Sequence, residues 1–267
     1  MDLTLSRRLE RAEATIGASF IAARQQLSPE FGAIAREFDG TLAIFDGADS
    51  PLSQTFGLGM FGVPTPETLS EIETFFESRG SDVMHEVSPL AGIETLGLLV
   101  DRGYRPFELS TVLVQGLVDP PGLPSSPELR VRPIEAADRD TWIEASVTGW
   151  SQDPEFAQVM RSMSEIACAN RAMVHYVVER DGTAIATGSM GIHGDVALFA
   201  GASTIPSGRG IGAQSLLLAT RLTDARRRGC AIAMMVTAPG STSQRNAERN
   251  GFRVAYTRTK WRRARRA

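Results

Sequence analysis

The stretch Ser203–Leu218, STIPSGRGIGAQSLLL, constrains the fold more than any other in the chain. An apolar run ends at Ile205 and Pro206, the turn Ser207-Gly208-Arg209-Gly210-Ile211-Gly212 follows, and a helix-forming run begins at Ala213. This order predicts a strand, a glycine-rich loop and the first turn of a helix. Glycines at 208, 210 and 212 let backbone N–H groups approach a ligand with no Cβ in the way, and the unsatisfied amides of a helix start add partial positive charge. Phosphate oxygens suit such a turn. The loop lacks the Gly-Lys-Ser/Thr ending that holds a nucleoside triphosphate and its magnesium. The spacing Gly208-x-Gly210-x-Gly212 is not that of a dinucleotide fingerprint, and Asp224, the next acid, falls inside the helix.

Pro206-x-x-Arg209-Gly210-x-Gly212 does resemble the pyrophosphate loop of the GNAT superfamily, the acyl-CoA-dependent N-acyltransferases. The resemblance continues through Gly229, the apolar strand 231–236, the helix 241–250 and Gly251-Phe252, and spans 129–261. It implies an α/β fold with a mixed sheet and acetyl-CoA as co-substrate. Arg209, Gly210, Ile211, Gly212, Ala213 and Gln214 match the pyrophosphate segment. Gln214 departs from the family's usual glycine or alanine, and its longer side chain can crowd the site or hydrogen-bond the cofactor. Thr204 and Ile205 occupy the strand end whose backbone, in the family, pairs with pantetheine.

The same resemblance leaves the proton carriers open. The strand position that bears a glutamate base in some relatives is Leu198, the usual tyrosine acid position is Ala247, and the usual asparagine is Gly240. Substitute candidates are Ser241 and Ser243 at the start of the last helix, His193 and Asp195 at the turn before the cradle strand, His175, and Tyr256 on the last strand. Ser241 and Ser243 are placed to approach the CoA thiol, but serine at a helix start is also a common cap. A lone histidine is more often structural than catalytic. No metal-ligand cluster and no Ser-His-Asp spacing appear.

The chain has 267 residues, comfortable for two domains, with a net charge of −3 that argues against nucleic acid as a general partner. Cys168 and Cys230 are too few for a disulfide framework, and the N-terminus leads into charge and not into an apolar signal core. No apolar run reaches membrane-spanning length, so a reducing cytoplasm is the expected compartment. Nothing specifies an oligomeric state.

An internal repeat organises the first half. Gly62-Val63-Pro64, a helix ending at Arg79-Gly80, the strand Val83–Val87, a helix, and Gly103-Tyr104 follow the order of Thr204-Ile205-Pro206, Arg228-Gly229, Ile232–Val236 and Gly251-Phe252. Gly80 to Gly103 is 23 positions and Gly229 to Gly251 is 22, but Pro64 to Gly80 is 16 where Pro206 to Gly229 is 23. The first half lacks the residues of the cradle. It reads as a degenerate GNAT-like domain, 1–117, joined by a proline-rich linker, 118–128, to a GNAT domain, 129–267, giving two tandem GNAT-like domains. Gly57-Leu58-Gly59-Met60-Phe61-Gly62 fits a dinucleotide pattern literally, but Pro64 and Pro66 follow and no helix begins on its third glycine.

In the second half, 136–150 and 154–170 read as two helices, the latter capped by Asp153. In GNAT folds such a pair helps shape the acceptor pocket, which makes Trp142, Trp150, Phe156 and Met160 candidate lining; the same spacing also suits a core face. Arg226, Arg227 and Arg228 close the cradle helix and complement its dipole. The tail 258–267 carries Arg258, Lys260, Arg262, Arg263, Arg265 and Arg266, which reads as a solvated terminus or as a contact for RNA, an acidic partner or the 3′-phosphate of CoA. Three functions are expected in this order: an N-acetyltransferase acting on a small-molecule amine, a catalytically silent acyl-CoA-binding module, and a partner or nucleic-acid binder using the basic tail.

Overall fold

The computed structural model describes residues 2–118, 122, 127–150 and 154–265. Most of the proline-rich stretch, Asp153 and Arg266 lie outside the described residues. The chain order is α1 (Leu3–Leu27), β1 (Ile34–Phe38), β2 (Thr41–Phe45), β3 (Gln54–Phe56), α2 (Pro66–Glu77), β4 (Val83–Val87), α3 (Ile93–Asp101) and β5 (Arg105–Gly116). It continues with β6 (Leu129–Pro133), α4 (Arg139–Trp150), α5 (Pro154–Ala169), β7 (Met173–Arg180), β8 (Thr183–His193), β9 (Val196–Thr204), α6 (Ala213–Arg227), β10 (Ile232–Thr237), α7 (Thr242–Arg249) and β11 (Arg253–Arg263). Among the described residues no helix is long and apolar enough to cross a membrane.

The chain divides into two compact units that do not follow a single cut at the linker. The first comprises 1–113, 236–244 and 254–267; the second comprises 114–235 and 245–253. The first unit's sheet runs β1-β2-β3-β4-β11-β5. β3 lies parallel to β4, as a strand–helix–strand crossover through α2 requires, and β11 lies antiparallel to β4, with Trp261 opposite His85. Trp261 is buried with Phe38, Phe45, Leu69, Ile72, Phe76 and Val83. The final strand therefore completes the first unit's core.

Residues 258–263 of the positively charged tail are consequently part of a strand and not a solvated terminus. Arg258 is fully buried and ion-paired with Glu10 at 2.8 Å, Glu13 at 2.6 Å and Glu86 at 3.2 Å. Lys260 pairs with Glu108, Arg262 with Asp82, and Arg263 with Glu73 and Glu77. The backbone N–H of Arg265 donates to Asp82. These cations neutralise acids of the first unit, which removes the observation behind a nucleic-acid-binding tail.

The second unit's sheet runs β10-β9-β8-β7-β6, antiparallel except for β9 and β10, which are parallel across α6. α4 and α6 both pack on β8 and β9. Trp142 of α4 is buried and donates its indole N–H to the carbonyl of Tyr176 at 2.9 Å. Met160 packs against the same cluster. Both are core, whereas Trp150 and Phe156 are exposed. Within the same unit Leu117, just beyond β5, donates its N–H to the carbonyl of Ala231.

Candidate functional site

The glycine-rich loop folds as its composition demands. Pro206–Gly208 make one 3₁₀ turn, consuming the amides of Gly208 and Arg209 on Ile205 and Pro206. Gly210 and Gly212 then adopt φ values of 79° and 87°, where only glycine is unstrained. A Cβ on Gly208 would lie 2.9 Å from Cβ of Ile185, so that position must also stay bare, while space around Gly210 is open. Gly212 is the N-cap of α6 and brings no side-chain cap. Among the described residues none of the amides of Gly210, Ile211, Gly212, Ala213, Gln214 and Ser215 donates to another protein group. These are the orphan donors of a helix start, gathered on one loop.

The strand leading into the loop is opened on one side. β10 pairs with β9 only from Val196 to Leu198, and β9 continues to Thr204 beyond that pairing. The register with β8 shifts between Thr187 and Ser189, leaving Gly201 and Ala202 opposite Gly188 as a bulge, with Gly201 at φ 60°. Because Ile205 donates to the carbonyl of Ile185, the antiparallel alternation turns the N–H and C=O of Thr204 away from β8. Among the described residues no strand pairs with that edge beyond Leu198.

Two cradle side chains fold back onto this strand end. Gln214 donates to the carbonyl of Ser203 and to Oγ1 of Thr204, each at 2.8 Å, so its extra length ties helix to strand. Arg209 donates through Nε to the carbonyl of Thr204 at 3.2 Å and reaches the carbonyl of Gly149 at 3.4 Å. Gly149 itself touches the strand: a Cβ there would sit 2.7 Å from Oγ of Ser203 and 2.8 Å from the N–H nitrogen of Thr204. Sequence reasoning overlooked Gly149 and Gly201, although a glycine within a helical pattern and one within a strand pattern are both signals of close approach or a bulge.

Behind the bulge, Arg221 of α6 is fully buried, donates to the carbonyl of Ser189 at 3.1 Å and stacks on the Phe199 ring at 4.7 Å. Desolvation pushes its guanidinium down to about 10, leaving it charged at neutral pH. A Cβ on Gly188 would lie 3.2 Å from its Nη1.

The remaining candidates are dispersed. Leu198 and Ala247 are buried and apolar. His193 pairs with Val196 at the start of β9, and the 9 residues of that strand put it roughly 25 Å from the Thr204 end, at about 3.3 Å per residue. It cannot act at the cradle. His175 is buried, bonded to Ser189 Oγ at 2.8 Å and pushed down to about 4 by desolvation, which makes it a weak base. Tyr256 belongs to the first unit, where its hydroxyl donates to Glu10 at 2.7 Å and desolvation raises its pKa far above the usual phenol range. Ser241 accepts the N–H of Gln244 at 3.1 Å and caps α7, while Ser243 is exposed on the same helix. Arg227 and Arg228 pair with Asp224 at the end of α6. Among the described residues no group of His, Cys, Asp and Glu could hold a metal ion.

No protein-family model matches the sequence, and no curated protein matches it. Solved structures do match its fold. A GCN5-related N-acetyltransferase from Kribbella flavida superposes with a TM-score of 0.66 at 18% identity, covering 92% of this chain and 95% of its own. A GCN5-related N-acetyltransferase from Sphaerobacter thermophilus gives 0.59 at 16%, covering 86% of this chain and 75% of its own. A tandem GNAT protein from the clavulanic acid biosynthesis pathway gives 0.62 at 12%, covering 92% of this chain and 87% of its own. The chain has the GNAT fold.

Proposed function

We propose that this chain is an N-acetyltransferase that moves an acetyl group from acetyl-CoA to the amine of a small-molecule acceptor. The observation that carries the reading is the run of undonated amides from Gly210 to Ser215 at the uncapped start of α6. A pyrophosphate fits this cradle, because several N–H donors and a helix dipole converge there and the space at Gly210 is open. Thr204 offers its outward N–H and C=O to the pantetheine amides, and Arg209 must leave the Thr204 carbonyl for that pairing to form.

Acetyl-CoA supplies an acyl group activated as a thioester. The acceptor nitrogen bonds to the acyl carbon as the carbon–sulfur bond breaks. The proton lost by the amine passes to water, since Leu198 and Ala247 offer none of the usual groups, and the thiolate is protonated from solvent. The strand end held by Gln214 orients the reactants, and the buried charge of Arg221 favours negative charge developing near the bulge.

A second reading, a silent acyl-CoA-binding module, draws support from Leu198, Ala247 and the engagement of Tyr256 with Glu10. Thiol release from acetyl-CoA across a panel of amines separates the two. Release with at least one amine supports the transferase, and calorimetric binding with no release supports the module. Gly212→Asp, which sets a carboxylate against the pyrophosphate and strains a residue at φ 87°, is expected to weaken acetyl-CoA at least tenfold, about 1.4 kcal/mol. Unchanged affinity in a folded variant overturns both readings.

A further inference from the structure

A groove of about 430 Å³ lies in the first unit between β1 and α2, lined by Arg36, Phe38, Ser70, Glu71, Thr74, Phe75, Ser78 and Arg79. Its floor is aromatic. Phe38 and Phe75 meet edge to face with centroids 5.7 Å apart, and each carries a guanidinium on its face: Arg36 at 4.6 Å over Phe38, and Arg79 at 4.3 Å over Phe75. Among the described residues neither arginine forms an ion pair with a carboxylate, in contrast to the cations of β11. Arg79 is anchored further by donating Nη1 to the carbonyl of Phe75 at 2.6 Å. Stacking fixes the plane of each guanidinium; Arg36 keeps its edge donors for an oxyanion, and Arg79 keeps those that Phe75 and Ser78 do not take.

The other wall has complementary chemistry. Ser70, Thr74 and Ser78 recur every four residues along one face of α2. Each hydroxyl proton is already given to a backbone carbonyl, those of Pro66, Ser70 and Phe75 respectively. Oγ of Ser70 also accepts Nη2 of Arg102 at 2.8 Å and Oγ of Ser78 accepts Nη1 of Arg79 at 3.4 Å, so among the described residues Thr74 Oγ1 is the lining hydroxyl oxygen that accepts from no other side chain. Glu71 is the one carboxylate in the lining, so the groove keeps a positive balance. Its volume lies within the range of small-molecule sites.

We propose that this groove binds a small ligand that joins a phosphate to a planar ring bearing amine donors, the chemistry of a nucleoside monophosphate. The arginines take the oxyanion, the outer guanidinium face stacks on the ring, and Thr74 Oγ1 accepts from a donor on the ligand. The site is independent of the acyl-CoA reading, since all its residues belong to the first unit and the cradle lies in the second.

The test is calorimetric titration of the full chain with AMP, with inorganic phosphate and adenosine as partial probes. Saturable AMP binding is expected, weaker for phosphate and weakest for adenosine. Arg36→Ala and Arg79→Ala should each weaken AMP by about tenfold or more, Arg36→Lys should lose most of the gain because a lysine cannot make the bidentate contact, and Gly212→Asp should leave AMP unchanged. Arg36 is exposed, so an unchanged melting temperature accompanies the loss in Arg36→Ala, and Arg79→Ala is read only in a cooperatively folded variant. No saturable binding of AMP, equal affinity for adenosine, or an affinity that falls with Gly212→Asp and not with the arginine variants overturns the proposal.

Discussion

At Gly149 one methyl group decides whether α4 can reach the strand end. In an exposed helix, glycine to alanine gains about 1 kcal/mol from backbone entropy. Here the added Cβ would meet Ser203 and the backbone nitrogen of Thr204 at 2.7–2.8 Å, neither of which is the far end of a flexible side chain. Overpacking outweighs propensity, and Gly149→Ala is expected to lose about 1–3 kcal/mol of stability, read as a lower melting temperature. A rise in melting temperature would show that α4 does not bear on Thr204 as described. Acetyl-CoA affinity should fall with it, because the displaced residue is the one whose outward N–H and C=O face the opened edge of β9.

At the scale of an element, β11 is defined by charge held inside the first unit. Glu10 and Glu13 from α1, Glu86 from β4 and Tyr256 and Arg258 from β11 meet there, so three carboxylates share one guanidinium. Desolvation, opposed by Arg258 and reinforced by Glu86 and Glu10, raises Glu13 from 4.5 to about 7, while Arg258 and its neighbours hold Glu86 below the ordinary value. Between those two values the folded chain keeps a proton on Glu13 that the unfolded chain has released, so this group's contribution falls as pH rises from about 4.5 to about 7 and is flat above. Glu13→Gln removes that slope and should be the more stable form at pH 8, by up to roughly 3 kcal/mol, with the gap closing toward pH 5. Parallel melting curves for both proteins from pH 5 to 8 would sink this assignment. The same strand shows where the sequence stops being legible. The glycine loop, the alternating strands β7–β9 and the helices around them were readable because their signals are local: period, turn residues and caps. The cations of 258–265 look solvated in sequence because their partners, Glu10, Glu73 and Glu86, lie far away along the chain, and only the register of β11 on β4 brings them together. β3, at 3 residues, is too short to carry a period. The placement of His193 was illegible for a related reason: it is near the cradle in sequence but at the other end of β9.

Across the whole molecule, both units borrow from both halves of the sequence. Residues 114–117 complete the second unit, and residues 254–265 complete the first. Neither 1–117 nor 129–267 expressed alone is therefore expected to melt cooperatively, whereas the two fragments together should copurify and do so; a cooperatively folded 129–267 fragment would contradict the strand assignment. The binding stoichiometry follows from comparing the two crossover helices. The start of α6 has no side-chain cap. At the start of α2, Thr65 accepts the N–H of Thr68, the hydroxyl of Thr68 donates to Asp39 at 2.7 Å, and Glu67 adds a carboxylate held below its ordinary value by its own backbone N–H. The glycine loop before it is filled as well: a Cβ on Gly57 would meet Phe61 at 2.9 Å and one on Gly59 would meet Ala91 at 2.8 Å, while Leu58 and Met60 are core. A pyrophosphate there would face two carboxylates and amides already served, and its desolvation would go uncompensated. One acetyl-CoA per full chain is the expected calorimetric stoichiometry, unchanged by Asp39→Asn, with its affinity weakened at least tenfold by Gly212→Asp. Two equivalent sites would mean that the first half has kept a cradle which its capped helix argues it has lost.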